Sequence, residues 1–213
     1  MSLPNTSFTE TSHERFIIDS AVLLKNVSWN ATAEEWEFEE LGATEGSVSI
    51  NVEMTYRQMD VNGASHVAVK EYEVLEEFLA TAVASVKEMS AKIIQQALNG
   101  KLEDATAEEA PAGYSKVTPQ RFLNDNSFLE NIAFVGRLKS HNNEQVIAIL
   151  DSPKVEGGLS GDTEDNGEMA IEQTYKAHAT VAKLKADINY LPFRMYLPQS
   201  LVDGTPEQME VGA

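Results

Sequence analysis

SVSINVEMTYR, residues 47–57, decides the fold class. Val48, Ile50, Val52, Met54 and Tyr56 alternate with Ser47, Ser49, Asn51, Glu53, Thr55 and Arg57. A period of two sends successive side chains to opposite faces of an extended chain, so this is a strand with one buried and one solvated face. The pattern runs on to Val61, and Asn62-Gly63 supplies the positive-φ pair of a tight hairpin turn. The spacing predicts residues 66–74 as the returning strand.

Outward from this hairpin the β theme continues. Residues 75–87 carry Phe78, Ala80, Ala82, Ala84 and Val86 against Leu79, Thr81, Val83 and Ser85; both faces are apolar enough for a covered strand or for a helix, and periodicity does not separate the two. Residues 90–98 read as a helix: Met89, Ile93, Ile94 and Ala97 form one stripe, Ser90 caps the start, and Gly100 stands where a helix stops. Residues 101–113, KLEDATAEEAPAG, read as an acidic linker or exposed loop. Upstream, FIID and AVLLKNV within residues 16–27 suit one or two strands. Residues 28–46 hold six glutamates (34, 35, 37, 39, 40 and 45) with Trp29 and Trp36, and read as a long acidic loop. Downstream, 131–140 and 145–150 read as strands joined by a turn at Asn142-Asn143, 157–167 as a polar glycine-rich loop, 168–178 as an alternating strand, and PFRMYLP (192–198) as a proline-bounded edge strand. No repeat of solenoid or propeller period occurs. The expectation is a mainly β chain: an antiparallel sandwich or barrel over residues 16–198 with one short flanking α-helix, an arm at 1–15 and a tail at 199–213.

The chain has 213 residues, 42% apolar and 23% charged, which is globular composition for one domain or two small ones. At that length folding removes roughly 70% of the unfolded surface from water. Sixteen basic against 34 acidic residues give −18. That balance opposes gripping nucleic acid or an anionic membrane, both of which need clustered Lys and Arg. The absence of cysteine excludes disulfides, thiolate metal sites, Cys nucleophiles and iron–sulfur clusters. No apolar run approaches the ~18 residues of a membrane span, and the polar start MSLPNTSFTETSHERF reads as no signal peptide.

Motifs for chemistry are weak. His13, His66, His141 and His178 are scattered, with no HxxxH pair to hold zinc. Glycines 157, 158 and 161 lack the lysine of a phosphate cradle, and Gly158-Leu-Ser-Gly-Asp162 lacks the closing glycine of a nucleophile elbow. Asp162, Glu164, Asn166 and Gly167 match positions one, three, five and six of a calcium loop, but position twelve is Gln173 instead of glutamate. The glutamates of EEWEFEE, residues 34–40, could serve glycosidase acid/base chemistry, and an exposed acidic loop accounts for them equally well. No cofactor is expected.

One resemblance carries a function. LGATEGSVSINVEMTYRQMDVNGA, residues 41–64, resembles the start of the core of siphophage major tail proteins, the tube subunits of long flexible tails. LATAVASVKEMSAKIIQQALNG (79–100), NIAFVGRLKS (131–140), QVIAIL (145–150), MAIEQTYKAHAT (169–180) and PFRMYLP follow in the family's order, over about 180 residues. The resemblance implies a tail-tube-like fold, shared with type VI secretion tube proteins, and a structural subunit without catalytic residues. It implies self-assembly into stacked hexameric rings, with tape measure, tail terminator and distal tail proteins as partners. DNA would pass through the lumen without specific binding, and the location would be the virion tail, after assembly in the host cytoplasm. On this reading Ser49, Asn51, Glu53 and Thr55 are the lumen-facing candidates. Trp29, Trp36 and Phe38 are the inter-subunit loop candidates. Other readings are a tail terminator or capsid decoration protein, a monomeric carbohydrate-binding sandwich using Trp29 and Trp36, and an acidic hydrolase.

Overall fold

A computed structural model describes residues 17–59, 69–88, 90–138, 144–162 and 169–202. Two antiparallel sheets face each other. Strands β1 (Ile17–Asn30), β2 (Glu35–Glu40), β3 (Thr44–Gln58) and β4 (Glu73–Val86) precede helix α1 (Ala91–Leu98). A small hairpin follows, β5 (Gly100–Asp104) and β6 (Ser115–Pro119), then β7 (Asn131–Leu138) and β8 (Gln145–Asp151). The chain closes with β9 (Lys154–Glu156), β10 (Gly161–Asp162), β11 (Ala170–Lys176), helix α2 (Val181–Ala186), β12 (Phe193–Tyr196) and helix α3 (Gln199–Val202). The first sheet has the order β12-β8-β7-β1-β2; the second runs β10-β11-β4-β3, with β9 also on β11. The mainly β expectation holds.

The core lies between the sheets. Leu23, Ile132, Phe134, Ala148 and Leu150 from the first meet Ala80, Ala82, Ala84 and Tyr175 from the second. Residues 73–86 form a strand, because alternate positions 80, 82, 84 and 86 are buried there. Alanine at three of them leaves room for the larger side chains opposite, which is how facing layers interdigitate. Tyr175 donates to Gln173 Oε1, and Gln173 Nε2 donates to the Ile93 carbonyl at 3.4 Å. That chain ties β11 to α1 inside the core.

Burial pushes the Tyr175 phenol well above its ordinary value of 10.0. A proton held more tightly by the folded than by the unfolded chain stabilises below the unfolded pKa and stops doing so as pH rises. Stability is therefore expected to fall above about pH 10, and Tyr175→Phe to flatten that fall. Thermal melts from pH 9 to 11.5 check it; parallel curves for the two proteins would refute the assignment.

Four sequence readings change. The partner of β3 is residues 73–86 and not 66–74; Lys70–Tyr72 is a 3-10 turn, and the Asn62-Gly63 turn lies outside the described residues. Residues 28–40 are the closing part of a β-hairpin, not a loop; 41–43 link it to β3, which starts at Thr44. Trp29 pairs with Trp36 and Asn30 with Glu35, while the Asn30 side chain accepts from Thr32 N and Ala33 N at 3.0 and 3.1 Å to close the turn. The alternation in EWEFEE was the signal, masked by its charge. Residues 101–104 belong to strand β5, which pairs with β6, and 105–114 form the mostly exposed loop that joins the two. Finally, Asn99, at φ 47°, caps α1 by donating to Gln95 and Gln96 carbonyls, while Gly100 opens β5, where a Cβ would come within 2.7 Å of Val117. Helices α2 and α3 were not read from the sequence; each is a turn or two, too short to show a period.

Candidate functional site

The first sheet is apolar on both faces. Its outward face is set by register: Val22 pairs with Val135, Val135 with Ile147, and Ile147 with Tyr196, a row across four strands. A bulge in β1 extends it. Asn26 takes φ 54°, which shifts the alternation by one residue so that Val27 joins Val22 and Leu24 on the same side. The broken ladder is repaired by the buried Asn131 side chain, whose Oδ1 accepts from Val27 N at 2.7 Å and whose Nδ2 donates to Val27 O at 3.0 Å.

These residues line a groove of about 490 Å³ with walls from Leu24, Val27, Trp36, Phe38, Val135 and Ile147 and with Glu40, Arg137 and Gln145 at its edges. Trp36 meets Tyr196 edge-to-face at 5.4 Å. These rings come from β2 and β12, the two margins of a five-stranded sheet. Flat, those margins would lie about 19 Å apart at the usual strand spacing, so the sheet curls around the groove.

The second uncovered surface belongs to β3 and β4. Tyr56 is opposite Leu75 and Met54 opposite Phe78, and the Tyr56 hydroxyl lies 3.4 Å from Met54 Sδ, on the same face. This face continues the core-facing side of β3, where Val48 and Val52 pack on the core. Beyond them no described residue covers it: Met54 is 46% and Tyr56 55% exposed. The outer edge of the fifteen-residue β3 has no strand beside it among the described residues. Long exposed edges and apolar patches of this kind mark association sites.

A third cluster holds the end of the first sheet. Asp151, 3% exposed at its side chain, accepts from Arg194 Nη1 at 2.9 and 2.7 Å, lies 3.2 Å from Lys183 Nζ and accepts from the Tyr190 hydroxyl. Burial and then Asp151 push the Tyr190 phenol up. Burial works against the Lys183 ammonium, yet Tyr190 and Asp151 together hold it above its ordinary value. The cluster neutralises a buried carboxylate and latches α2 and β12 onto the sheet.

Ser49, Asn51, Glu53 and Thr55 are exposed on one side of β3, opposite its apolar side, and Asn51 Nδ2 donates to Glu53 Oε1 at 2.6 Å. Trp36 and Phe38 line the groove, while Trp29 packs on Trp36 with ring planes at 66°. Rings so tilted do not make the flat platform a sugar face needs. The carboxyl of Glu39 is lowered, first by Asn26 and then by Lys25, the opposite of what a general acid requires. His178 packs edge-to-face on Phe128; His13, His66 and His141 lie outside the described residues, as do Glu164, Asn166 and Gly167 of the calcium-like loop. Gln173 of that loop is a buried core residue. The sequence reading missed the groove, whose signal was the apolar residues at both phases of β1, β7 and β8.

No family model and no curated protein matches the sequence. Among solved structures, the chain is similar to a protein in the tail of an empty gene transfer agent particle, obtained by helical refinement with C6 symmetry: 11% identity, TM-score 0.34, covering 75% of this chain and 92% of that one. It is likewise similar to a chain of the virion of a native gene transfer agent particle, at 10% identity and TM-score 0.32, covering 76% and 92%.

Proposed function

We propose that this chain is the tube subunit of a long phage-type tail, a structural protein whose copies associate head to tail into hexameric rings that stack around a channel for DNA. The observation that carries the reading is that one chain leaves two large apolar β surfaces uncovered, the curled outer groove and the overhanging face of β3 and β4. Together with the ordered resemblance to major tail proteins, this favours a subunit over a monomeric binding module. Different patches on one chain make a heterologous contact, and such contacts generate closed rings and open stacks. Tape measure protein in the lumen and terminator and distal tail proteins at the tube ends complete the assembly, in the virion after formation in the host cytoplasm.

The charge fits passage of DNA. Six copies at −18 each bring −108 to a ring before counterions. An acidic or neutral wall repels phosphates within the roughly 8–10 Å over which charge acts at ordinary salt, whereas a basic wall holds them. The exposed side of β3 bearing Ser49, Asn51, Glu53 and Thr55 is the proposed lumen lining. Negative-stain microscopy of the concentrated protein is expected to show rings or tubes of one diameter. Monodisperse single chains at every concentration would reject the proposal, and a positively charged lumen in an assembled tube would reject the assigned lining.

A further inference from the structure

We infer that the groove on the outer face of the first sheet receives the overhanging β3–β4 hairpin of a neighbouring copy, with Tyr56 and Met54 entering between Trp36, Phe38, Val135 and Ile147. The inference deepens the tube reading and rests on it for the existence of a self-contact.

Three features select this occupant. The groove opens away from the second sheet, and β3 and β4 belong to that sheet, so a chain's own hairpin is on the wrong side to fill it. The hairpin offers what the groove lacks: a continuous apolar face of Ile50, Met54, Tyr56 and Leu75, each more than one-third exposed. The charges also correspond. The groove has Arg137 on β7 and Glu40 on β2; on the apolar side of the hairpin Glu73 stands opposite Gln58, two residues beyond Tyr56, whereas Arg57 and Glu77 share the other side with Thr55. Placing β4 towards Arg137 pairs it with Glu73, whereas the reverse orientation sets Glu73 against Glu40. A partner of the same net charge of −18 needs such local matching to approach at all.

Phe38→Glu disables the groove and Tyr56→Glu disables the hairpin, and both side chains are more than half exposed, so each variant is expected to keep the melting profile of the unaltered chain. Each alone should associate with itself at least tenfold more weakly. Mixed in equal amounts they should give a 1:1 dimer, because the intact hairpin of one fits the intact groove of the other and the remaining two surfaces are dead. Light scattering or native mass spectrometry reads this. A mixture as weakly associated as its components overturns the inference, and so does either variant assembling as well as the unaltered chain. A photoreactive benzoylphenylalanine at position 56, in chain mixed with isotope-labelled unaltered protein, gives a second readout. Cross-links to labelled peptides spanning 36–40 or 135–147 are expected, and cross-links that map elsewhere overturn it. If tubes form while these tests fail, the inference falls and the tube reading stands. If the mixed dimer forms but the unaltered chain builds no tube, the tube reading falls and the contact stands.

Discussion

Ile93→Asp lowers the melting temperature by roughly 8–16 °C, the shift expected when about 4 kcal/mol is lost from a domain of this length. Ile93 is 4% exposed in the first turn of α1, where its N–H donates to the Ser90 hydroxyl at 3.3 Å. A carboxylate near a helix N-terminus gains about 0.3–1 kcal/mol from the aligned peptide dipoles. Losing a buried isoleucine costs roughly 2–3 kcal/mol, and placing an unpaired charge there adds more, so burial wins. The penalty is largest when the introduced carboxyl is ionised. Its pKa is raised by the fold, so the deficit against the unaltered chain shrinks as pH falls. Lys92→Asp, on the exposed side of the same turn, is the control and should melt near the unaltered value. An unchanged melting temperature for Ile93→Asp would mean that α1 does not bury this side against the core.

Asp151→Ala is expected to cost about 2–3 kcal/mol, below the 3–5 of a fully buried pair, because its cationic partners reach water. Arg194 and Lys183 side chains are 39% and 43% exposed, against 3% for Asp151. Removing the carboxylate leaves Tyr190 and two cations facing each other beside the sheet. Asp151→Asn keeps the volume and one acceptor, so its effect should be smaller. The damage should be local at first. Hydrogen exchange should accelerate in β12, which among the described residues pairs only with β8, before it does in β11. Equal protection of β12 in both proteins would show that the latch does not hold that strand.

What was readable in the sequence follows from which physics acts locally. Residues 47–57 declared themselves because one face of β3 meets water along its whole length, giving a clean period of two. The helix at 91–98 was readable from its serine cap and apolar spacing. The hairpin of β1 and β2 was not, because its glutamates dominate the composition while its pairing depends on two tryptophans meeting across the turn. Strands 75–86, 131–138 and 145–151 are apolar at both phases, and period alone cannot say what covers each side. The groove depends on a bulge at Asn26 and on the curl that brings Trp36 to Tyr196, and both are tertiary facts. Likewise, Asp151 is separated from Arg194 by 43 residues, and nothing in the sequence announces their meeting.

The order in which the two apolar surfaces can exist follows from the register of the sheets. The β3–β4 hairpin joins neighbours in sequence and is complete once residue 86 has emerged. The groove needs β1 against β7, with Leu24 paired to Ala133 more than a hundred residues later, and then Ile147 on β8. At 5–20 residues per second of synthesis, the groove trails the hairpin by roughly 3–12 s. Non-local pairing of this kind also forms slowly. A nascent chain therefore carries the β3–β4 face before it can carry a groove of its own.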